Sequence, residues 1–511
     1  MKLTSRREFI KAGLTGAAAT LSSSNVFAQS KGKYNVLFIA VDDLRPQMGC
    51  YGQKQMHTPN LDRLAEKGIV FNRAYCQQAV CSPSRTSLLT GLRPDSTKIY
   101  DLQTHFRLTI PNVVTLPQYF KKNGYHTQAL GKIYHGGLND SHSWSVRHWQ
   151  PTGPSYSDPG IIQEMNQELE EIMAKNKGPA VEILKKDPQT SQPLKVSRPK
   201  FRVRGPSWES ANAPDNALPD GQTADKAIEL LQSVKDQRFF LAVGFLKPHL
   251  PFVAPKKYYD LYPSDKITIA DNIFAPKDAP KQALHNYGEL RNYNDIPKEG
   301  PLTQNKTKEL TRAYYASTSY VDAQIGRVID ELDKLGLREN TVIVLWGDHG
   351  WQLGEHALWC KHSNFETSTH SPLIINTPDM PETNVKTDGL TEFVDIYPTL
   401  CDLCDLPVPE GLEGVSLAPL IKSPDRPWKE AAFSQYPRGK NIMGYSMRTD
   451  HFRYTEWIKT DEDKTIAVEL YDHTADPKEN VNVAAKLEYK EIAQSLSCKL
   501  HKGWQAAKPQ G

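Results

Sequence analysis

Four short apolar runs, each followed directly by polar or charged residues, constrain the fold of this chain more than any other feature. The runs cover residues 36–41, 239–245, 342–346 and 372–375. Continuous runs of Val, Ile, Leu and Phe of this length are typical of strands that are buried on both faces of a sheet. Between them, residues 223–234 and 310–335 repeat apolar side chains at helical spacing. The alternation predicts an α/β fold with a large mixed, mostly parallel sheet flanked by helices.

The length of the chain, 511 residues, predicts more than one folding unit. Residues 150–220 are Pro-rich and charged with poor periodicity, which predicts an excursion or lid. After about residue 425 the sequence changes to short alternating segments, which predict a smaller C-terminal antiparallel-sheet subdomain. The predicted organisation is a large α/β domain over residues 33–424 and an α+β subdomain over residues 425–511.

The first 28 residues have the pattern of an export signal. Ser5-Arg-Arg-Glu-Phe-Ile-Lys is a twin-arginine pattern, and a short, weakly apolar segment follows over residues 12–21. Val26-Phe-Ala then offers small residues for cleavage. A disordered basic tail is the alternative interpretation. The order of the three features predicts a signal peptide over residues 1–28, cleaved after Ala28, and a periplasmic or extracellular protein.

The formal net charge of +3 belongs to this leader, because basic and acidic residues are equal in number after Ala28. A protein that wraps nucleic acid needs a basic surplus to neutralise phosphates, so the balance argues against a nucleic-acid partner. No run after the leader approaches the roughly 20 apolar residues of a spanning helix. A membrane-embedded body is therefore not expected, and the oligomeric state is left open.

Acidic residues follow two of the predicted strands. Asp42 and Asp43 come directly after the first run, and Asp348 and His349 follow the third. In open α/β sheets, ligands gather beyond the carboxyl ends of strands. Three carboxylates and one imidazole suit a hard divalent ion such as Ca²⁺ or Mg²⁺. Each pair alone is a weak signal, since Asp-Asp is usually a solvated turn, but the two together favour a metal site.

A second signal lies at Cys81-Ser-Pro-Ser-Arg. Pro83 suits the first turn of a helix and Gly91 suits its C-terminal cap. Cys81 would then lie at the helix N-terminus, where backbone N–H groups favour an anion, with Arg85 one turn away. A free thiolate would be activated there. A buried cysteine before a capped helix is the alternative.

The sequence Cys-x-Pro-x-Arg followed by Thr90-Gly91 resembles the signature of the formylglycine-dependent (type I) sulfatases, in which the cysteine is converted to formylglycine. The resemblance covers nearly all of the chain after the leader and is most specific for the iduronate-2-sulfatase branch. The other segments that carry it include Val41-Asp-Asp-Leu-Arg-Pro, Gly131-Lys-Ile-Tyr-His, Lys247-Pro-His-Leu-Pro-Phe, Asp348-His-Gly-Trp-Gln-Leu-Gly-Glu-His, Lys361-His-Ser-Asn-Phe and Ser434-Gln-Tyr-Pro-Arg. The implied fold is that of the alkaline-phosphatase superfamily.

The resemblance implies one Ca²⁺ held by Asp42, Asp43, Asp348 and His349, with the modified residue 81 completing its shell. A hydrated formylglycine carries two hydroxyls on one carbon. One hydroxyl would attack sulfur and expel the sugar alcohol. The second would then lose its proton, release sulfate and restore the aldehyde, a step that a thiol cannot perform. The implied partners are a sulfated oligo- or polysaccharide and a formylglycine-generating maturation enzyme.

The resemblance also implies roles for residues outside the metal shell. The cations that would hold the nucleophile and the sulfuryl oxygens are Arg85, Lys132 and Lys361. His135 would move protons at the formylglycine, and His249 would be the acid for the leaving alcohol. Together with Lys132 and Lys361, His249 would also contact the substrate. Trp351 is predicted to form a substrate wall, with a core aromatic as the alternative.

Two departures from the family pattern leave the sugar open. Residues 150–215 show little correspondence, and Leu92 stands where the relative has a basic residue. A 2-sulfated iduronate, a related uronic acid or an algal sulfate ester are equally consistent with the sequence.

Two other functions stay open. A phosphohydrolase of the same superfamily would normally use two zinc ions and a Ser or Thr nucleophile. A sulfated-glycan-binding protein without turnover would keep Cys81 as a thiol.

Overall fold

The computed structural model describes residues 32–175 and 203–509. The predicted signal peptide, residues 1–28, lies outside the described residues, as do residues 176–202 of the predicted excursion. None of the helices in the described ranges is both long enough and apolar enough to span a bilayer.

Strands in the described residues form a seven-stranded sheet, a four-stranded sheet and three two-stranded ribbons. The strands are β1 (Asn35–Val41), β2 (Ile69–Phe71), β3 (Ala74–Tyr75), β4 (His126–Gly131), β5 (Trp208–Ala211), β6 (Phe239–Phe245), β7 (Phe252–Pro255), β8 (Thr341–Gly347), β9 (Gln352–Leu353), β10 (Trp359–Cys360), β11 (Leu373–Asn376), β12 (Val385–Thr387), β13 (Thr391–Glu392), β14 (Ala432–Arg438), β15 (Ile442–Arg448), β16 (Phe452–Lys459) and β17 (Lys464–Asp472). The α-helices are α1 (Pro59–Glu66), α2 (Cys81–Thr90), α3 (Pro94–Thr97), α4 (Leu116–Lys122), α5 (Pro159–Lys175), α6 (Pro219–Val234), α7 (Lys256–Tyr259), α8 (Gly288–Arg291), α9 (Gln304–Lys334), α10 (Glu366–Thr369), α11 (Ile396–Leu403), α12 (Ala418–Lys422) and α13 (Lys490–Ala506).

The large sheet has the strand order β12-β2-β11-β8-β1-β6-β4. At its centre β1 is parallel to both β6 and β8, and β4 is parallel to β6. Every residue of β1, β6 and β8 is buried, as expected of continuous apolar strands that are covered on both faces. β11 runs antiparallel to its neighbours β8 and β2. The predicted mixed, mostly parallel sheet is confirmed.

Side chains of β1 alternate between two cores, one on each face of the sheet. The even-numbered residues from Val36 to Ala40 pack in a core with apolar residues of α2, α4 and α11. The odd-numbered residues from Leu37 to Val41 pack in a second core with α1, α6 and α9. This two-sided coverage fixes the strand ends, so the loops that follow β1, β6 and β8 start from a rigid edge.

The four-stranded sheet, β14 to β17, is antiparallel throughout and confirms the predicted C-terminal antiparallel sheet. Leu496 and Leu500 of α13 pack against its apolar face. The backbone N–H of Gln435 in β14 donates to the carbonyl of Gln77 at 2.8 Å, which ties this sheet to the segment before α2. The domain boundary near residue 425 stays a prediction.

Part of the predicted excursion is more regular than the sequence indicated. Residues Pro159–Lys175 form a 17-residue helix, α5. Its apolar residues Ile161, Ile162 and Met165 pack against a core that includes Tyr156. Apolar residues recur along it at helical spacing, at Ile161, Met165, Leu169 and Ile172, so this part of the range does have the periodicity of an amphipathic helix.

Candidate active site

The carboxyl ends of β1 and β8 bring the predicted carboxylates together. Val41 pairs with Gly347 in the parallel register, so Asp42, Asp43, Asp348 and His349 follow the strands at the same edge. The backbone at Asp43 has a φ of 59°, and its N–H donates to Asp348 Oδ1 at 2.9 Å. We call these four residues, all fully buried, the carboxylate centre.

Cys81 is the first residue of α2 and faces this centre. Its Sγ lies 3.4 Å from His349 Nε2 and 3.5 Å from Asp42 Oδ1. Gly91 ends the helix in the left-handed conformation, and its N–H donates to the carbonyl of Ser87, as the cap prediction required. In this structure the surroundings of Cys81 favour the thiol over the thiolate that the helix N-terminus was expected to activate. Burial and then the Asp42 charge raise the pKa of the Cys81 thiol well above its usual value.

The donor atoms of this site fit a divalent cation. One ligand atom from each of Asp43, Cys81, Asp348 and His349 lies within 4.8 Å of the others, and the set is rich in carboxylate oxygen. Burial, followed by the charges of Asp42 and other carboxylates, outweighs the opposing effect of Lys361. The pKa of Asp43 is therefore raised well above its usual value. A bound Ca²⁺ or Mg²⁺ would relieve this repulsion.

Arg85 forms hydrogen bonds to two carboxylates of the centre. Its Nη2 donates to Asp42 Oδ1 and its Nε to Asp348 Oδ2, both at 2.9 Å. Its Nη1 donates to the carbonyls of Lys132 and Ile133 at 2.6 and 2.8 Å. Because Arg85 is fully buried and its donors are used within the protein, the structure makes it an organiser of the centre.

Two lysines of the site form ion pairs with different carboxylates, Lys132 with Asp42 and Lys361 with Asp43. Lys132 forms an ion pair with Asp42, and its Nζ lies 3.7 Å from Cys81 Sγ. Burial raises the pKa of Asp42 on its own, but Lys132, His249 and Arg85 outweigh it and hold that pKa well below the usual range. Asp42 therefore stays ionised in a fully buried position.

The ammonium group of Lys361 contacts two carboxylates and an aromatic ring. Its Nζ lies 3.0 Å from Asp43 Oδ1 and 2.8 Å from Glu289 Oε1. The ammonium also lies 4.8 Å from the ring centroid of Trp351. Trp351 is fully buried and stacks on Tyr314, so the predicted substrate wall is wrong. The indole instead packs in the core and presents its ring to the ammonium group of Lys361.

His249 and His135 lie where a substrate can reach them. A cavity of about 720 Å³ is lined by Lys132, His135 and His249 together with other side chains. His249 Nδ1 lies 2.5 Å from the carbonyl of Leu250, and its Nε2 lies 3.8 Å from Asp43 Oδ2. The ring thus presents Nε2 to the carboxylate centre.

Two acidic residues near the site were missed from the sequence. Glu289 Oε1 lies 3.4 Å from His249 Nε2, and Glu289 Oε2 lies 3.1 Å from His362 Nε2. Asp220 accepts the N–H groups of Leu246 and Lys247, both at 2.7 Å, and so holds the turn after β6 that leads to His249. Asp220 lies in the first turn of α6, where the helix N-terminus alone accounts for an acidic residue. No local pattern marks Glu289.

Carboxylates at the carboxyl edge of a mostly parallel sheet face a side chain at a helix N-terminus, which is the arrangement of an enzyme site in an α/β fold. The chain belongs to the sulfatase family. The family model Sulfatase matches residues 34–406, and the model N-sulphoglucosamine sulphohydrolase, C-terminal, matches residues 354–506. The protein is a sulfuric ester hydrolase.

Individual relatives agree with this assignment. Iduronate 2-sulfatase from Mus musculus is 33% identical over 542 residues, which cover 90% of this chain and 93% of that protein. A sulfatase from Formosa agariphila is 31% identical, with 97% of this chain and 92% of that protein covered. The structure of BT4656 in complex with its substrate D-glucosamine-2-N,6-O-disulfate has a TM-score of 0.70 at 22% identity, covering 93% of this chain and 99% of that chain. This last likeness concerns the fold.

Proposed function

We propose that this sulfatase is exported and acts on an acidic glycan, as an iduronate-2-sulfatase-like enzyme that uses one Ca²⁺ and a formylglycine made from Cys81. The observation that carries the proposal is the contact of Cys81 Sγ with both Asp42 and His349 at the N-terminus of α2. The similarity to iduronate 2-sulfatase from Mus musculus supports the substrate class. The twin-arginine pattern of the leader supports export.

Asp42, Asp43, Asp348 and His349 would hold the calcium ion together with residue 81. When bound, the ion would offset the charge of the buried carboxylates and polarise an oxygen of residue 81 or of the sulfate. Arg85 keeps Asp42 and Asp348 in place through its two 2.9 Å hydrogen bonds. The carboxylate centre is thereby ordered before any ligand enters, which lowers the cost of organising it during the reaction.

Formylglycine at position 81 would supply a hydroxyl nucleophile and, on the same carbon, the second hydroxyl that drives release of sulfate. Lys132 and Lys361 are held on Asp42 and Asp43 beside this position, where their positive charge would stabilise sulfuryl oxygens that gain negative charge. Both ammonium groups are fixed by carboxylates, so they need no rearrangement when the charge develops.

His249 is placed to assist the leaving alcohol. With Nδ1 donating to the carbonyl of Leu250, Nε2 faces the carboxylate centre from the cavity wall. Burial lowers the pKa of His249 well below its usual value, so its role as an acid would require the ring to take up a proton when the substrate binds. Asp220 fixes the preceding turn, which limits the positions available to the imidazole. His135 lines the same cavity and is the candidate for proton movement at residue 81.

The test is the chemical state of residue 81 and the group that the protein releases. The full chain is produced with a formylglycine-generating enzyme, and the peptide that contains residue 81 is analysed by mass spectrometry. We expect an aldehyde at position 81, a mature N-terminus at Gln29, and sulfate release from sulfated uronic acid oligosaccharides. Only cysteine at position 81 in active, exported protein would overturn the proposal. Phosphate release without sulfate release would favour the phosphohydrolase, and binding without turnover would favour a glycan-binding protein.

A further inference from the structure

The cavity that contains Lys132, His135 and His249 is also lined by Arg204. Arg204 Nη1 donates to the hydroxyl of Tyr293 at 2.9 Å, and the guanidinium lies 5.1 Å from the centroid of that ring. Tyr293 is fully buried, so the arginine rests on a fixed support.

The backbone beside Arg204 is also fixed. A Cβ added to Gly205 would lie 2.9 Å from Met165 Sδ and 3.0 Å from Tyr156 Cζ. The chain therefore passes close to α5 at this point, and a larger residue would have to displace both side chains. The tight packing and the tyrosine together hold the arginine at the wall of the cavity.

The charge of Arg204 is not balanced within the part of the chain that the structure describes. Among these residues, no carboxylate lies within ion-pair distance of its guanidinium. The other cations of the cavity wall are committed: Lys132 pairs with Asp42, and Lys247 donates to the carbonyls of His249 and Pro251. Asp220, the carboxylate in the cavity wall, is turned to backbone N–H groups.

We propose that Arg204 binds the carboxylate of a uronic acid in the substrate and so determines specificity for acidic sugars. This inference rests on the proposed function, because it concerns the sugar whose sulfate reaches the carboxylate centre. The guanidinium is planar and presents parallel N–H donors that match a carboxylate. Among the described residues, its hydrogen-bond partner is the neutral hydroxyl of Tyr293, which occupies one of its five N–H donors.

The experiment compares Arg204→Gln with the unaltered, matured enzyme on three substrates. These are a 2-sulfated uronic acid disaccharide, the same disaccharide with its carboxyl group reduced to an alcohol, and 4-nitrocatechol sulfate. A charge-assisted contact of this kind contributes about 10- to 100-fold in affinity. We expect KM for the uronic acid substrate to rise by about that factor and both other substrates to change less than about twofold. The unaltered enzyme should prefer the uronic acid over the reduced disaccharide by a similar factor.

Two further variants separate recognition from packing. Arg204→Lys keeps the charge but loses the planar donors, so it should recover part of the preference. Arg291→Gln is the matched control, because Arg291 also lies over a tyrosine ring, 4.1 Å from the centroid of Tyr287, but does not line the cavity. It should leave all three KM values unchanged.

Three results would overturn the inference. If Arg204→Gln raises KM equally for all three substrates, Arg204 is a packing residue. If the unaltered enzyme has the same KM for the uronic acid disaccharide and its reduced form, the enzyme does not contact the carboxylate. The third result concerns a fourth substrate, a neutral disaccharide that carries a second sulfate. If Arg204→Gln loses activity selectively on that substrate, Arg204 binds sulfate instead of a carboxylate. If the unaltered enzyme hydrolyses none of these esters, the proposed function fails, which is a different outcome from unselective loss in an active enzyme.

Discussion

Among the described residues, two regions bring donor atoms together with the spacing of a metal site, yet they differ in charge balance. The first is the carboxylate centre. The second, which we call the junction cluster, contains Glu366, His473 and Glu479, with one ligand atom from each within 4.8 Å of the others. In the junction cluster, Arg453 pairs with both glutamates and Arg448 pairs with Glu366. Two arginines therefore compensate two carboxylates, and no cation is needed.

The carboxylate centre lacks this balance. Together with Glu289 it contains four carboxylates, whereas the Arg and Lys side chains that form ion pairs with them in the described residues are Arg85, Lys132 and Lys361. His249 and His362 also lie within ion-pair distance of these carboxylates, but burial lowers the pKa of both imidazoles, so they add no charge at neutral pH. Burial lowers the pKa of His349 to about 4, so its imidazole adds no charge at neutral pH. With all four carboxylates ionised, one negative charge exceeds these cations beside a cavity. In the empty site, the raised pKa of Asp43 indicates that a proton offsets this charge, and a bound metal ion would replace that proton. Spacing alone therefore does not mark a metal site, because uncompensated charge and access decide which cluster can bind an ion.

The largest effect should come from removing the side chain at position 81. We expect Cys81→Ala to lower sulfate release by about 10⁴-fold or more, because the nucleophile is lost. Stability should change by only about 1 kcal/mol, since little volume is removed from the core. Cys401→Ala, which removes a buried thiol from α11, is the control and should keep full activity. Turnover retained in the Cys81 variant would contradict the assignment of the nucleophile.

The next effect should appear in stability at the junction cluster. Arg453→Met leaves the buried Glu479 without an arginine, while the partly buried Glu366 keeps Arg448. Breaking a buried ion pair costs about 3–5 kcal/mol. A urea titration should show this loss as a lower midpoint, while kcat of the folded fraction stays near normal. Arg63→Met breaks an exposed pair with Asp330 and should cost less than about 1 kcal/mol. If the two variants unfold at the same urea concentration, the junction cluster does not stabilise the fold.

The sequence predicted the strands of the sheet centre because their apolar runs are continuous and local. It also predicted that Asp42 and Asp348 meet, since residues that follow parallel strands share an edge. Glu289 could not be predicted, because α8 is a four-residue helix whose contact with Lys361, 72 residues later, exists only through tertiary folding. Trp351 was misplaced for a related reason: its neighbours in sequence are site residues, but its neighbours in space are Tyr314 and Phe252.

The smallest effect tests the charge difference itself. Glu289→Gln keeps the shape of the side chain but removes one negative charge beside Lys361, so the carboxylate centre becomes balanced like the junction cluster. Coulomb attraction for a divalent cation should then weaken, and the Kd for Ca²⁺ should rise by about threefold to tenfold. Calorimetric titration of the metal-depleted enzyme measures this change. Glu309→Gln removes the same charge beside Lys306, outside the centre, and should leave the Kd unchanged. Equal Kd values for Glu289→Gln and the unaltered enzyme would mean that ligand spacing, rather than uncompensated charge, holds the ion.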